Sequence, residues 1–580
     1  MNEHLYRWRN RELREHVSVI DGKTKPTLLL KNATYLNVFI KAWVQAHIWI
    51  YQDRIVYVGD DLPQHTNTME VIDCENKYIV PGYIEPHAHP FQLYNPHQLA
   101  VYASQTGTTT LVSDNLLWLY LTSQKKAFTM LGEFMKLPVS LYWWARFDSQ
   151  TLLKDEQEHF NNENILAWLN HEAVLQGGEL TSWPQVLEDD DRILYWMQEA
   201  KRLGKPIEGH FPGASERTLT KMKLLGASAD HESMTGKEVM NRLLMGYQVG
   251  LRYSSIRPDL PTILSELKEL GISNYDSLTM TTDGSTPAFY KEGLMNQCIA
   301  IAIEQGVPII DAYMMASYNA ARHFNMHERL GSIAPGRVAH LNILDKMDEP
   351  TPSTVIAKGK VLRKDGERQD NIPAVNWEDY GIKPLTIDWE LSEGDLQFSM
   401  PVGMEMINDV IIKPYAVSID PNVDIIQGSH DESFLMLVDR QGEWRVNTII
   451  KGFTEDLGGL VSSYSTTGDI VFIGKSKHDL QLAFNRMKEI GGGIVLANQG
   501  EIIFELPLTL SGMMYDGDME TLIKKDIQLK ETLKNFGYKY DDPPYNLLFL
   551  SSMHLPFIRI TPQGIVDVKK KEVLFPAIMR

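Results

Sequence analysis

Cysteine is nearly absent: Cys74 and Cys298 are the only two in 580 residues. So few, placed so far apart, build neither a disulfide framework nor a cysteine-based zinc site. The Pro-Cys-x-x-Cys zinc element of one deaminase class is excluded with them. Excess positive charge is missing too. Lys and Arg number 56 against 75 Asp and Glu, a formal charge of −19. A phosphate backbone is held by clustered Lys and Arg, so this balance argues against a nucleic-acid partner. Small neutral ligands stay open. The chain has no run of about 18 apolar residues, the length a membrane span needs. The opening MNEHLYRWRNRELREH is charged throughout and lacks the apolar stretch of a signal peptide. The expected location is therefore the cytoplasm, with no membrane partner.

What is present suits a large globular protein, 43% hydrophobic and 23% charged. The length allows two to four domains. Residues 1–22 read as a polar helical lead-in. Short strands follow over Leu28–Lys31, Ala46–Tyr51, Arg54–Val58 and Tyr78–Val80, so 1–80 is expected to hold the lead-in and part of a small β-domain. Over 81–330, apolar runs alternate with helical stretches, the rhythm of βα units on a parallel sheet. Eight candidate strands end near His87, Ser113, Arg146, Glu179, His210, His231, Ser254 and Asp283. This predicts a TIM-type (β/α)₈ barrel, whose chemistry sits at the C-terminal strand ends. Strands over Ala339–Leu344 and Ser353–Leu362 are expected to return to the small β-domain, and 363–395 reads as a linker. Residues 396–580 are expected to form a further α+β domain, with strands at Glu405–Ile412 and Ile470–Ile473 and a helix around His478–Glu489.

The sharpest local signal is Pro81-Gly-Tyr-Ile-Glu-Pro-His87-Ala-His89. Residues i and i+2 of a strand share a face, so two imidazoles there can meet one metal ion. Glu179, His210, His231 and Asp283 stand at later strand ends. Singly, each has a bland alternative, such as a hydrogen-bonded packing histidine or an Asp helix cap. Their joint placement at strands 1, 4, 5, 6 and 8 points to a metal site.

That order resembles the amidohydrolase superfamily, and within it the bacterial adenine deaminase family, from about residue 28 to the C-terminus. Gly209-His210-Phe-Pro-Gly213 resembles the family's Gly-His-Ala-Pro-Gly. Ala229-Asp-His-Glu232 resembles its Ser-Asp-His-Glu, and Thr282-Asp283 its Thr-Asp-Asp. Pro81–His89, Gly178-Glu179 and Gly331–Gly336 are similar to further family segments. Met487–Gly493 and Glu505-Leu-Pro-Leu508 resemble its C-terminal domain. The chain also departs from the pattern, at Pro90-Phe-Gln-Leu93, Asp114-Asn-Leu-Leu117, Tyr253-Ser-Ser255, Gly284 and Tyr464-Ser-Thr-Thr467.

The resemblance implies two divalent ions, manganese or iron, with zinc an alternative. His87, His89, Glu179 and Asp283 would hold one ion. Glu179 would bridge to a second, held by His210 and His231. The implied reaction is hydrolytic deamination of adenine, a step of purine salvage, with a free purine base as partner and a homodimer as a further expectation. Asp283 would move protons, His231 would ligate or polarise, and Arg252 would contact substrate. Two rivals remain: an amidohydrolase for another aminated or cyclic-amide heterocycle, and a catalytically silent barrel that only binds.

Overall fold

Eight short segments of mostly buried residues define the centre of the molecule, seen in a computed structural model that describes residues 9–64, 69–398, 401–420 and 422–580. They are β1 (Tyr83–Ala88), β2 (Thr108–Asp114), β3 (Ser140–Ala145), β4 (Val174–Leu180), β5 (Ile207–Gly209), β6 (Ala229–Asp230), β7 (Gln248–Arg252) and β8 (Leu278–Thr281). Each ends within two residues of the position read from sequence. They pair in parallel, in sequence order, as one eight-stranded sheet. Every residue of β2 and of β3 is buried, as expected for strands covered on both faces. Amphipathic helices supply the outer cover. In Asp191–Arg202, Asp190 caps the first turn and Ile193, Trp196, Met197 and Ala200 form the buried stripe.

The sheet closes through a side chain. β1 and β8 lie side by side without a backbone ladder. The buried Glu85 carboxylate bridges them, accepting from Thr281 Oγ1 (2.6 Å), Thr282 N (2.9 Å) and Thr282 Oγ1 (2.7 Å). It also accepts from His87 N on its own strand (3.0 Å).

Segments from both sides of the barrel share a second sheet. Tyr78–Pro81 pairs in parallel with Leu28–Asn37 and antiparallel with Leu341–Leu344, which continues to Thr354–Ala357 and Lys360–Lys364. Within the lead-in a helix spans Asn10–Ile20, while residues 1–8 lie outside the described residues. Both cysteines are buried and free. No helix among the described residues is long and apolar enough to cross a membrane.

The C-terminal region builds a third sheet, with helix Lys477–Glu489 packed on it. One expectation is corrected here. Glu405–Ile412 is not one strand but the turn of a hairpin between Val402–Met406 and Ile412–Ala416. Asn408 Oδ1 accepts from Val410 N (3.0 Å) and Ile411 N (2.8 Å), folding the chain back locally. The stretch 363–395 joins barrel to C-terminal region but is pinned down: Trp377 stacks on Trp118, and Lys488 Nζ donates to Trp389 O (2.8 Å). The C-terminal region lies over the barrel mouth. Tyr545 Oη donates to Gly284 O (2.8 Å), Thr286 Oγ1 to Asp542 Oδ2 (2.9 Å) and Thr151 Oγ1 to Ser551 O (2.8 Å).

Removing the Glu85 carboxylate strands several buried donors, each costing about 1–3 kcal/mol. Glu85→Ala is therefore expected to destabilise the protein by roughly 3 kcal/mol or more, read from the denaturant midpoint. A midpoint equal to wild type would show that the seam does not depend on this carboxylate.

Candidate metal centre

The strand ends bring His87, His89, Glu179, His210, His231 and Asp283 into one cluster. Three overlapping groups each have ligand atoms within 4.8 Å of one another: His87–His89–Glu179, His87–His231–Asp283 and Glu179–His210–His231. Glu179 joins the halves. Its Oε1 lies 2.7 Å from His210 Nδ1 and 3.5 Å from His231 Nε2. Its Oε2 lies 3.6 Å from His89 Nε2 and 4.0 Å from His87 Nε2. Asp283 Oδ1 faces the same two rings, at 3.4 Å from His87 and 3.2 Å from His89.

Local sequence explains the placements. Glycine is required before Glu179, because Gly178 has φ +85° and an added Cβ would lie 2.5 Å from Glu208 O. Asp283 itself has φ +48°, and its N–H donates to Thr281 Oγ1 (3.0 Å). The seam hydroxyl that meets Glu85 thus also fixes the aspartate. His87 stacks on Trp144 of β3, 4.5 Å between ring centres.

A surrounding set of charges orients these groups. Asp114 Oδ2 accepts from His89 Nδ1 (2.9 Å) and from Arg146 Nη2 (2.7 Å). Arg146 Nη2 also lies 3.0 Å from Glu179 Oε2. Glu208 Oε1 lies 3.0 Å from His231 Nδ1. Arg252 Nη1 bridges Glu232 Oε1 (2.7 Å) and Asp283 Oδ2 (2.8 Å), while Arg257 pairs with Glu232. Burial opposes charge on both ligand carboxylates, yet Arg146 and His210 hold Glu179 far below the usual carboxylate range. Arg252, His87 and His89 do the same for Asp283. Burial, aided by His231, lowers His87 to about 4, leaving a neutral ring with a free lone pair.

The residues present fit metal ions. His87 Nε2 and His231 Nε2 are buried and lack a hydrogen-bond partner, though both point at carboxylates. Buried polar atoms are rarely left so. Imidazole and carboxylate donors of this kind suit a borderline transition metal.

The cluster forms the floor of a cavity of about 500 Å³. Arg252 reaches its wall, but its guanidinium is engaged by two carboxylates, so it also orients Asp283. Sequence reasoning assigned no role to Asp114, Arg146, Glu208 or Glu232. A carboxylate directly after His231 was the one available signal. His554, from the C-terminal region, reaches the cavity with its ring centre 5.3 Å from that of His210. No local pattern marks it. Several of the departures from the family pattern border the same space. Leu116, Leu117, Gln92 and Tyr464 line it, and Gly284 packs so closely that a Cβ there would lie 2.4 Å from His89 Cβ.

Comparison with known proteins agrees with the architecture. Residues 78–362 match the amidohydrolase family, and residues 411–572 match the adenine deaminase C-terminal domain. An Oceanobacillus iheyensis protein bearing the name "Putative adenine deaminase" is 59% identical over 99% of both chains. A Bacillus subtilis protein of the same designation is 53% identical over the full length of both. The adenine deaminase of Kosmotoga olearia is 27% identical over 95% of this chain and 96% of its own. With its ligand-bearing barrel and its C-terminal region both matched, the chain belongs to the adenine deaminase family of the amidohydrolase superfamily.

Proposed function

We propose that this protein is a cytoplasmic, metal-dependent hydrolase that converts adenine and water to hypoxanthine and ammonia in purine salvage. One observation carries the reading: Glu179 presents an oxygen to each half of a six-residue ligand cluster at the floor of a cavity of about 500 Å³, large enough to admit a purine base. The similarity to relatives named adenine deaminase supports the substrate.

His87, His89, Glu179 and Asp283 would hold one ion, and Glu179, His210 and His231 a second, manganese or iron. When bound, such ions supply Lewis acidity that makes water nucleophilic near neutral pH. Asp283 takes the proton of the attacking water. It is held ionised and aimed by Arg252 at Oδ2, which leaves Oδ1 turned to the cluster. As the C–N bond at C6 breaks, Asp283 returns that proton to the departing amine, so water supplies the new oxygen, one of the three hydrogens of ammonia and the hydrogen that ends on N1 of hypoxanthine. His231 would serve as a ligand, because Glu208 occupies its Nδ1 and leaves Nε2 facing the cluster. Arg252 fixes Asp283 and meets substrate at the wall. The C-terminal region lines one side of the cavity, with Tyr464, Tyr545 and His554 at its wall.

A second reading has one observation behind it. The cavity wall is apolar at Phe91, Leu116 and Leu117, where the resemblance leads one to expect polar residues. Such a wall suits a different aminated heterocycle, and ammonia release across a panel of such bases ranks it against adenine.

Metal-loaded protein is expected to release ammonia from adenine, with Asp283→Ala slower by about 10²–10⁴-fold. Normal turnover in that variant would remove Asp283 from proton transfer. Elemental analysis is expected to find about two transition-metal ions per chain, the count of a two-metal hydrolytic site. Chelation should abolish turnover and re-addition restore it. His210→Ala should lower the bound metal by about one equivalent; an unchanged metal content would show that His210 is no ligand.

A further inference from the structure

Two of the family departures, far apart in sequence, meet above the metal centre. Gln92 follows β1, three positions after His89. Tyr464 belongs to the C-terminal region and is fully buried. Tyr464 Oη donates to Gln92 Oε1 at 2.6 Å. The tyrosine is fixed from behind by Ser462, whose Oγ accepts from Tyr464 N (3.0 Å) and lies 3.0 Å from Tyr464 O.

This bond sets the direction of the amide. Gln92 Oε1 is the one acceptor that the phenol proton meets, so exchanging the amide oxygen and nitrogen would leave a buried hydroxyl without an acceptor. With its oxygen committed to the tyrosine, Gln92 keeps its two Nε2 donors, and these have no protein partner among the described residues. The side chain lines the cavity together with His89, Glu179 and Asp283. A donor held in place there, beside an otherwise apolar wall of Phe91, Leu116 and Leu117, is a directional feature that a ligand can satisfy.

We propose that Gln92, locked by Tyr464, donates a hydrogen bond to an unprotonated ring nitrogen of the substrate, making this pair a specificity determinant supplied jointly by barrel and C-terminal region. The proposal rests on the reading of the substrate as a purine-like heterocycle. A purine offers acceptors of this kind at N3 and N7, away from the ring position that gains a proton in the reaction. Gln92 is the contacting residue. Tyr464 is a positioning residue that acts through it.

The test uses full-length, metal-loaded protein and three bases that carry no amino group and so cannot turn over: purine, 3-deazapurine and 7-deazapurine. Calorimetry is expected to show wild type binding one deaza analogue about tenfold more weakly than purine, the scale of one hydrogen bond. Gln92→Leu should bind purine about tenfold more weakly than wild type and should no longer distinguish that analogue from purine. Tyr464→Phe keeps the ring and should lose part of the same discrimination, which a merely structural role would leave intact. Should Gln92→Leu keep the wild-type preference, or should wild type bind all three bases equally, the proposal is overturned. Binding and discrimination without ammonia release from adenine would overturn the deaminase reading and leave this contact standing. Failure to bind any of the three would overturn both.

Discussion

Two oxygens of one buried carboxylate face different ways at the floor of the cavity in the barrel mouth, and the site is organised around them. Glu179 turns Oε1 toward His210 and His231, and Oε2 toward His87 and His89. A carboxylate this deep would by itself favour its neutral form. Arg146 reverses that preference at 3.0 Å, and the same guanidinium holds Asp114, which in turn orients His89. One cation therefore sets both the charge of the bridging group and the angle of a neighbouring ring. Such supporting partners tune the affinity and geometry of a metal site.

The opposite side of the cluster repeats the scheme. Arg252 ties Asp283 to Glu232, and Thr281 links the Asp283 backbone to the Glu85 seam. Closure of the barrel and placement of the aspartate are thus parts of one hydrogen-bond chain. The groups that make the sheet a barrel also decide where its chemistry sits.

The C-terminal region completes the cavity. Tyr545 binds the Gly284 carbonyl, beside a glycine with φ +65° whose added Cβ would strike His89. An aspartate at 284 has no room in this packing. The loss of that family residue is matched by close approach of the backbone to a metal-site histidine. The departures at 92 and 464 are linked by a hydrogen bond at the cavity wall, and that at 284 packs against His89, whereas the ligand-type residues follow the family order.

Much of this was legible in the linear chain. Runs of buried β-formers recur with helical spacers, and the polar residues that end them mark the mouth of a parallel barrel, because the period of a βα unit is a local property. His87 and His89 announce themselves by the two-residue repeat of a strand. A local Asx turn at Asn408 was missed, and Glu405–Ile412 read as one strand because its apolar residues outweighed a turn of two polar positions. Arg146, Asp114 and Glu208 are ordinary charged residues in sequence. Their roles arise only when neighbouring strands set them beside Glu179, His89 and His231. His554 and Tyr464 lie hundreds of residues from His210 and Gln92, which they approach, and no periodicity relates them. Local propensity and side-chain alternation determined the strands and the residues at their ends. Packing between distant segments alone decided which charges pair, which amide is locked and what covers the cavity, since those are contact energies between groups that the covalent chain does not place together.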